Sequence, residues 1–322
     1  MSGLIKAEFR RAFARGIIKG VLLLAVLFAG FTIFAMHQQV SNMPTQAELQ
    51  QNFKFSHDDW AKNHETYEKD CRTNTPESER NNAPADFCEF PEPKWSDWVG
   101  QNGTLGGVLK QGMSGLLMVA ALAALVLGAS LVCAEFTSGS MMTWLTFEPR
   151  RIPVYASKVL VAMVMGLLPV LVLVAIAGPG FWLAGSSGEL EFAAGEQSTY
   201  LATLGRLFGV GAFCGLVGAA LGFVLRHTTA VLGFAAVWLI AVELIGGSSF
   251  ADARRWTIGT ALDAFLNHGK EWETYPPCYS GGADCRPVIH WLGFWPATSY
   301  LLVVAVVGFL IGLVTFRRRD VG

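Results

Sequence analysis

Six long apolar runs punctuate the chain, near residues 17–36, 112–133, 156–183, 205–225, 229–250 and 294–316. Each matches the length of about 20 helical residues that crosses a hydrocarbon core. The alternating apolar and polar positions of an outer-membrane barrel strand are absent. Backbone amides in lipid must find partners within their own segment, so the pattern predicts an all-α integral membrane protein with six transmembrane helices. The third run contains Pro169, which predicts a kink or tilt, and Pro179 and Gly180 are expected to end it.

Shorter periodicities fill the polar stretches. Over residues 1–16, Ile5, Phe9 and Phe13 recur every four positions among Lys6, Arg10 and Arg11, which predicts an amphipathic interfacial helix on the anionic inner leaflet. A cleaved signal peptide is the competing reading, but the apolar core that follows exceeds the usual run of about 7–15 residues. Residues 37–111 are polar: "TQAELQQNFKFSHDDWAKNHETYEKDC" suits a helix and a Pro-rich loop follows it. Residues 251–293 open with a stretch in which Ile258, Leu262, Phe265 and Leu266 share one face, predicting a short helix on the outer leaflet.

Residues 134–155 interrupt two apolar runs with a specific polar piece. Thr137 or Ser138 is placed to cap a short helix over 137–148. Met141, Trp144, Leu145 and Glu148 fall at i, i+3, i+4 and i+7, and Pro149 stops the helix. An apolar face beside charges fits docking to a soluble partner. In the fourth run Gly211, Gly215, Gly218 and Gly222 line one face, where small residues let helix backbones approach. That face serves either a neighbour within the chain or a second protomer.

Composition narrows the class. Of 322 residues 52% are hydrophobic and 15% charged, against about 25% charged in a soluble domain. The net charge is −1 and the bases are not pooled, so no nucleic acid is expected as a partner. Their positions set the orientation instead. Lys6, Arg10, Arg11 and Arg15 precede the first run, Arg150 and Arg151 lie in the second loop, Arg226 in the fourth, and Arg317–Arg319 in the tail at 317–322. The third loop carries Glu189, Glu191 and Glu196. The positive-inside bias places both termini and residues 134–155 in the cytoplasm, with 37–111 and 251–293 extracellular.

Cys71 and Cys88 then lie in one external segment and Cys278 and Cys285 in the other, where disulfides persist. Four cysteines allow three pairings; closeness in sequence favours Cys71–Cys88 and Cys278–Cys285. Cys133 and Cys214 read as buried free thiols. The chain holds no phosphate loop, G-x-S-x-G, H-E-x-x-H or C-x-x-C, so it is not expected to be an enzyme. His57 and His64, near Asp58, Asp59 and Glu65, lack a third fixed ligand and read as part of a solvated helix, so no metal is expected. Asn102-Gly103-Thr104 matches a glycosylation tripeptide that is common by chance. Glu243 stands in the outer half of the fifth run, either as a hydrogen-bonded structural acid or on a translocation path.

The piece at 134–155 resembles the loop between the second and third helices of ABC-2-type exporter permeases: an acid, a Gly-Ser pair, a hydrophobic helix, then Pro, Arg and Lys. Glu135, Gly139, Ser140, Leu145, Pro149, Arg151 and Lys158 follow that order. The basic N-terminal helix, the six spans with both ends inside and the short helix before the last span resemble the family too. The resemblance implies a permease subunit of a bacterial plasma membrane that dimerises and couples to separately encoded ATPase subunits, which carry the ATP and Mg. It implies that the coupling helix presents Glu135, Gly139, Met141, Trp144, Leu145, Glu148 and Arg151 to that ATPase. Few internal charges suit an amphiphilic or lipid-like cargo. The alternative is a membrane sensor or assembly factor that binds a ligand or an extracellular accessory protein through its external segments.

Overall fold

The computed structural model describes residues 2–74, 88–95, 98, 105–147, 149–186, 196–247, 251–274 and 288–318. Among them run α1 (Ser2–Ala14), α2 (Gly16–Ser41), α3 (Gln46–Asn74), α4 (Leu105–Thr137), α5 (Ser140–Phe147), α6 (Arg151–Ser186) and α7 (Glu196–Leu225). α8 (Thr228–Trp238) continues as a π-helical segment, Leu239–Gly246, before the short α9 (Ala251–Arg254) and α10 (Ile258–Leu266). Strands β1 (Gly269–Thr274) and β2 (Val288–Gly293) lead into α11 (Phe294–Arg318).

Six of these helices are long and apolar enough to cross a membrane: α2, α4, α6, α7, α8 with its π segment, and α11. They divide into an inner and an outer trio. In α4, α6 and α7, 61%, 44% and 56% of the most apolar stretch is buried within the chain, against 17%, 6% and 17% in α2, α8 and α11. Glycine decides which helices are central. A Cβ on Gly218 would strike the carbonyl oxygen of Leu125 in α4, and one on Gly215 that of Ala162 in α6. At Gly211 it would lie 2.7 Å from the oxygen of Gly166 in α6, and at Gly222 3.0 Å from Val132 Cβ in α4. Gly128 and Gly166 return the contact from α4 and α6. The four glycines therefore pack spans of one chain together, leaving no room on that face for a second protomer.

Two expectations about helix limits change. α6 runs through Pro179 and Gly180 to Ser186, so neither ends it. Proline costs one backbone bond per residue, which a long buried helix absorbs, and Gly180 makes room there for the Ile33 side chain of α2. Thr137 does not cap α5: it is the last residue of α4, its hydroxyl donating to Cys133 and Ala134 carbonyls. Ser138 reaches only the Ser140 hydroxyl. The corner is made by Gly139 at φ +69°, a left-handed value that favours glycine.

α1, α5 and the end of α11 gather at one end of the bundle, here the basic end. α3, α10 and the β-hairpin follow helix ends at the other, the hairpin end. α3 opens with a capping box, Thr45 donating to Glu48 Oε2 and the Glu48 amide donating back to Thr45 Oγ1. The Cys71–Cys88 disulfide is formed. Beyond it the Trp60 indole donates to the Phe90 carbonyl at 2.6 Å, laying residues 88–95 back along α3. His57 pairs with Glu92, and His64 stacks on Trp60. Cys278, Cys285, Asn102–Thr104, Glu189 and Glu191 lie outside the described residues.

The hairpin was not legible in the sequence. Its strands pair antiparallel, Gly269 opposite Gly293 and Trp272 opposite His290, and they bury Trp272 and Leu292. Gly269, at φ +139°, accepts the Trp291 indole against its bare Cα.

Candidate functional site

The basic end holds a buried cluster of charge. Lys158, two turns into α6, is 3% exposed; its ammonium donates to Glu8 Oε1 of α1 at 2.7 Å and to Glu135 Oε2 of α4. Glu8 and Glu135 are themselves 6% and 2% exposed. Arg15, in the corner between α1 and α2, approaches Glu135 Oε1 at 3.4 Å and donates to the carbonyls of Ser130 and Leu131. Two acids and two bases balance, which is the condition under which charges persist away from water.

The short helix α5 rests on this cluster. Trp144 lies under two cations, the Arg11 guanidinium 4.6 Å and the Lys158 ammonium 5.7 Å from its ring centroid. Such cation–aromatic contacts contribute about 0.5–2 kcal/mol each, more when desolvated. Met141 is buried and Leu145 packs against the same core as Tyr155, Phe223 and Phe316. The outward side of α5 is Met142, Thr143, Thr146 and Phe147, with Phe147 82% exposed. Arg151 reaches from the start of α6 to the terminal carbonyls of α11, Phe316 and Arg317, at 3.1 and 2.9 Å. Those carbonyls have no partner within their own helix, and a base there also suits the helix dipole.

The residues assigned to coupling thus separate by role. Glu135 sits inside the charge cluster, Gly139 makes the corner, Arg151 ties α6 to α11, and Met141, Trp144 and Leu145 face the chain's own core. Glu148 lies outside the described residues. Periodicity identifies one apolar stripe on α5 and says nothing of what covers it. Glu8 is absent from the sequence-based set, Arg15 counts there only for orientation and Lys158 only as a motif base. One signal pointed to Glu8: it is the single acid before Glu48, set among five bases. On α1, Glu8 and Ala12 face the bundle, Phe9 is half-buried and Phe13 exposed.

At the hairpin end, Glu243 lies in the π segment with its carboxylate turned onto the first turn of α10. Its Oε1 accepts from the Gly259 amide at 2.9 Å and from the Trp238 indole at 3.4 Å. Thr257 caps the same turn by accepting from the Thr260 amide. This is the arrangement of a hydrogen-bonded structural acid.

No nucleophile–base pair or metal-binding group of His, Cys, Asp and Glu forms among the described residues. What the basic end can do is mechanical: charged bonds in a dry setting make α1, α4, α5 and α6 shift together. A family model described as ABC-2 family transporter protein matches residues 3–321. No curated protein and no solved structure matches the chain.

Proposed function

Because the chain belongs to the ABC-2 transporter family, we propose that it is the permease subunit of an ATP-driven exporter, coupled to separate ATPase subunits through α5. In this reading the basic end faces the cytoplasm of a bacterial cell, both termini lie there, and α1 rests on the inner leaflet. ATP and Mg bind the partner, and this chain supplies the translocation path, paired with a second permease protomer. The apolar spans suit an amphiphilic or lipid-like cargo.

The observation that carries the reading is the charge cluster under Trp144. A partner that pushes on α5 pushes on a helix wired to the starts and ends of three neighbouring elements, so displacement passes into α4 and α6 without being absorbed in a loose loop. Since Met141, Trp144 and Leu145 face inward, Met142 and Phe147 are the side chains offered to an ATPase cleft. Phe147→Glu should lower binding of the ATPase subunit at least tenfold, as loss of an aromatic anchor at an interface does at roughly 2 kcal/mol. Co-purification at unchanged affinity with both Phe147→Glu and Met142→Glu would reject this docking face.

A second reading, a sensor or assembly factor, draws on α3 and the strap held to it by Cys71–Cys88, an external element that a transport path does not require. It leaves the buried cluster at the opposite end without a task, and we place an extracellular accessory protein, bound at α3, beside the permease role.

A further inference from the structure

The outer half of the fifth span combines three features. It is π-helical over Leu239–Gly246, a winding that costs stability and occurs mostly where function requires it. No residue of that segment is buried, so packing does not hold its register. And its one acid, Glu243, is bonded to the amide of Gly259 across the gap to α10. Gly259 is fitted to that bond: a Cβ there would stand 2.5 Å from Glu243 Oε2 and 3.1 Å from Cδ.

We propose that Glu243 and Gly259 form a register lock, Glu243 acting as a positioning residue that holds span five in its π winding against α10. Without the bond the segment relaxes to an α-helix. Relaxation turns everything beyond the segment by about the 100° that one helical residue subtends, and it withdraws the carboxylate from α10. α10 itself stays in place, because it is anchored elsewhere. Arg206 of α7 donates to the Leu266 carbonyl at 3.0 Å, and Asp263 pairs with Lys270 of the hairpin and accepts from Ser114 of α4. Span five is therefore the moving part and α10 the fixed one. The consequence for transport rests on the permease reading; the lock does not.

The test uses the full chain in lipid nanodiscs, with spin labels attached through bio-orthogonal side chains at positions 244 and 303, both lipid-facing and exposed. Glu243→Gln keeps an acceptor oxygen and should keep the wild-type distance distribution. Glu243→Leu and Gly259→Ala should shift or broaden it, and adding Glu243→Asp to Gly259→Ala should bring it back, since the shorter acid leaves room for the new methyl. A distribution identical to wild type in folded, monodisperse Glu243→Leu and Gly259→Ala overturns the lock while leaving the permease reading untouched. Failure of an ATPase subunit to bind would overturn that reading and not the lock. In an assembled transporter the same two variants should change the maximal rate of coupled hydrolysis with the apparent affinity for ATP unchanged.

Discussion

The two ends of the bundle solve the same problem, polar groups beside lipid, in opposite ways. At the basic end Lys158 and Glu135 are each 2% exposed in the side chain and Glu8 8%, and each charge has its counter-charge. At the hairpin end the pair Lys270–Asp263 is 34% and 14% exposed, and Glu243 relies on one amide and one indole. A closed charge network resists the loss of any member, because each loss strands another charge. Half-solvated anchors can be exchanged for water. The difference assigns rigid transmission to the basic end and adjustment to the hairpin end.

The largest effect that would break this contrast is at Lys158. Lys158→Met leaves two buried carboxylates without their cation and should destabilise the protein by about 3–5 kcal/mol. Lys270→Met should cost far less, because its pair is partly solvated and exposed pairs contribute about 0–1 kcal/mol. Equal shifts of the unfolding midpoint in detergent would erase the distinction.

Next comes the strap on α3. The bridge closes a separation of 17 residues, for which chain entropy predicts about 3 kcal/mol. Paired Cys71→Ser and Cys88→Ser should loosen the C-terminal half of α3 in hydrogen exchange while protection in α4, α6 and α7 stays as it was. Spread of the loss into those spans would show that the external helix supports the bundle.

Between the two ends, Gly215→Ala forces a methyl against the Ala162 carbonyl and should cost about 1–3 kcal/mol by overpacking. Gly205→Ala, with open space at its Cβ, is the control and should be neutral or slightly stabilising, which a thermal scan reads directly.

The smallest effect is at Glu48, whose carboxyl is held below its ordinary range chiefly by the Thr45 amide and then by the Thr45 hydroxyl. A depressed pKa contributes stability that is present above the unfolded value and lost as pH falls through the folded one. Exchange protection of the first turn of α3 should therefore decline on acidification below the ordinary glutamate range, and Glu48→Gln should remove that dependence.

Much of the scaffold is readable because its causes are local. An apolar run of span length, four glycines on one face, the Thr45–Glu48 spacing and two cysteines 17 apart each act within a few turns of chain. The site is a different matter. Lys158 finds Glu8 across 150 residues, and nothing in either neighbourhood announces the other. The inward stripe of α5 looks the same in sequence whether a partner or the chain's own core covers it. The hairpin escapes notice because its strands are separated by residues 275–287, and the π winding because it leaves the apolar pattern of span five intact.

The central claim is that the cluster at Glu8, Glu135 and Lys158 carries motion between α5 and the spans. ATP hydrolysis by the assembled permease–ATPase complex, compared between wild type and Glu8→Gln, tests it most directly. Glu8 lies away from Met142 and Phe147, so the variant should still assemble, and hydrolysis by the ATPase should keep its unassembled rate. The stimulation that assembly brings should fall at least tenfold. Full stimulation in a folded, assembled Glu8→Gln complex would contradict the account.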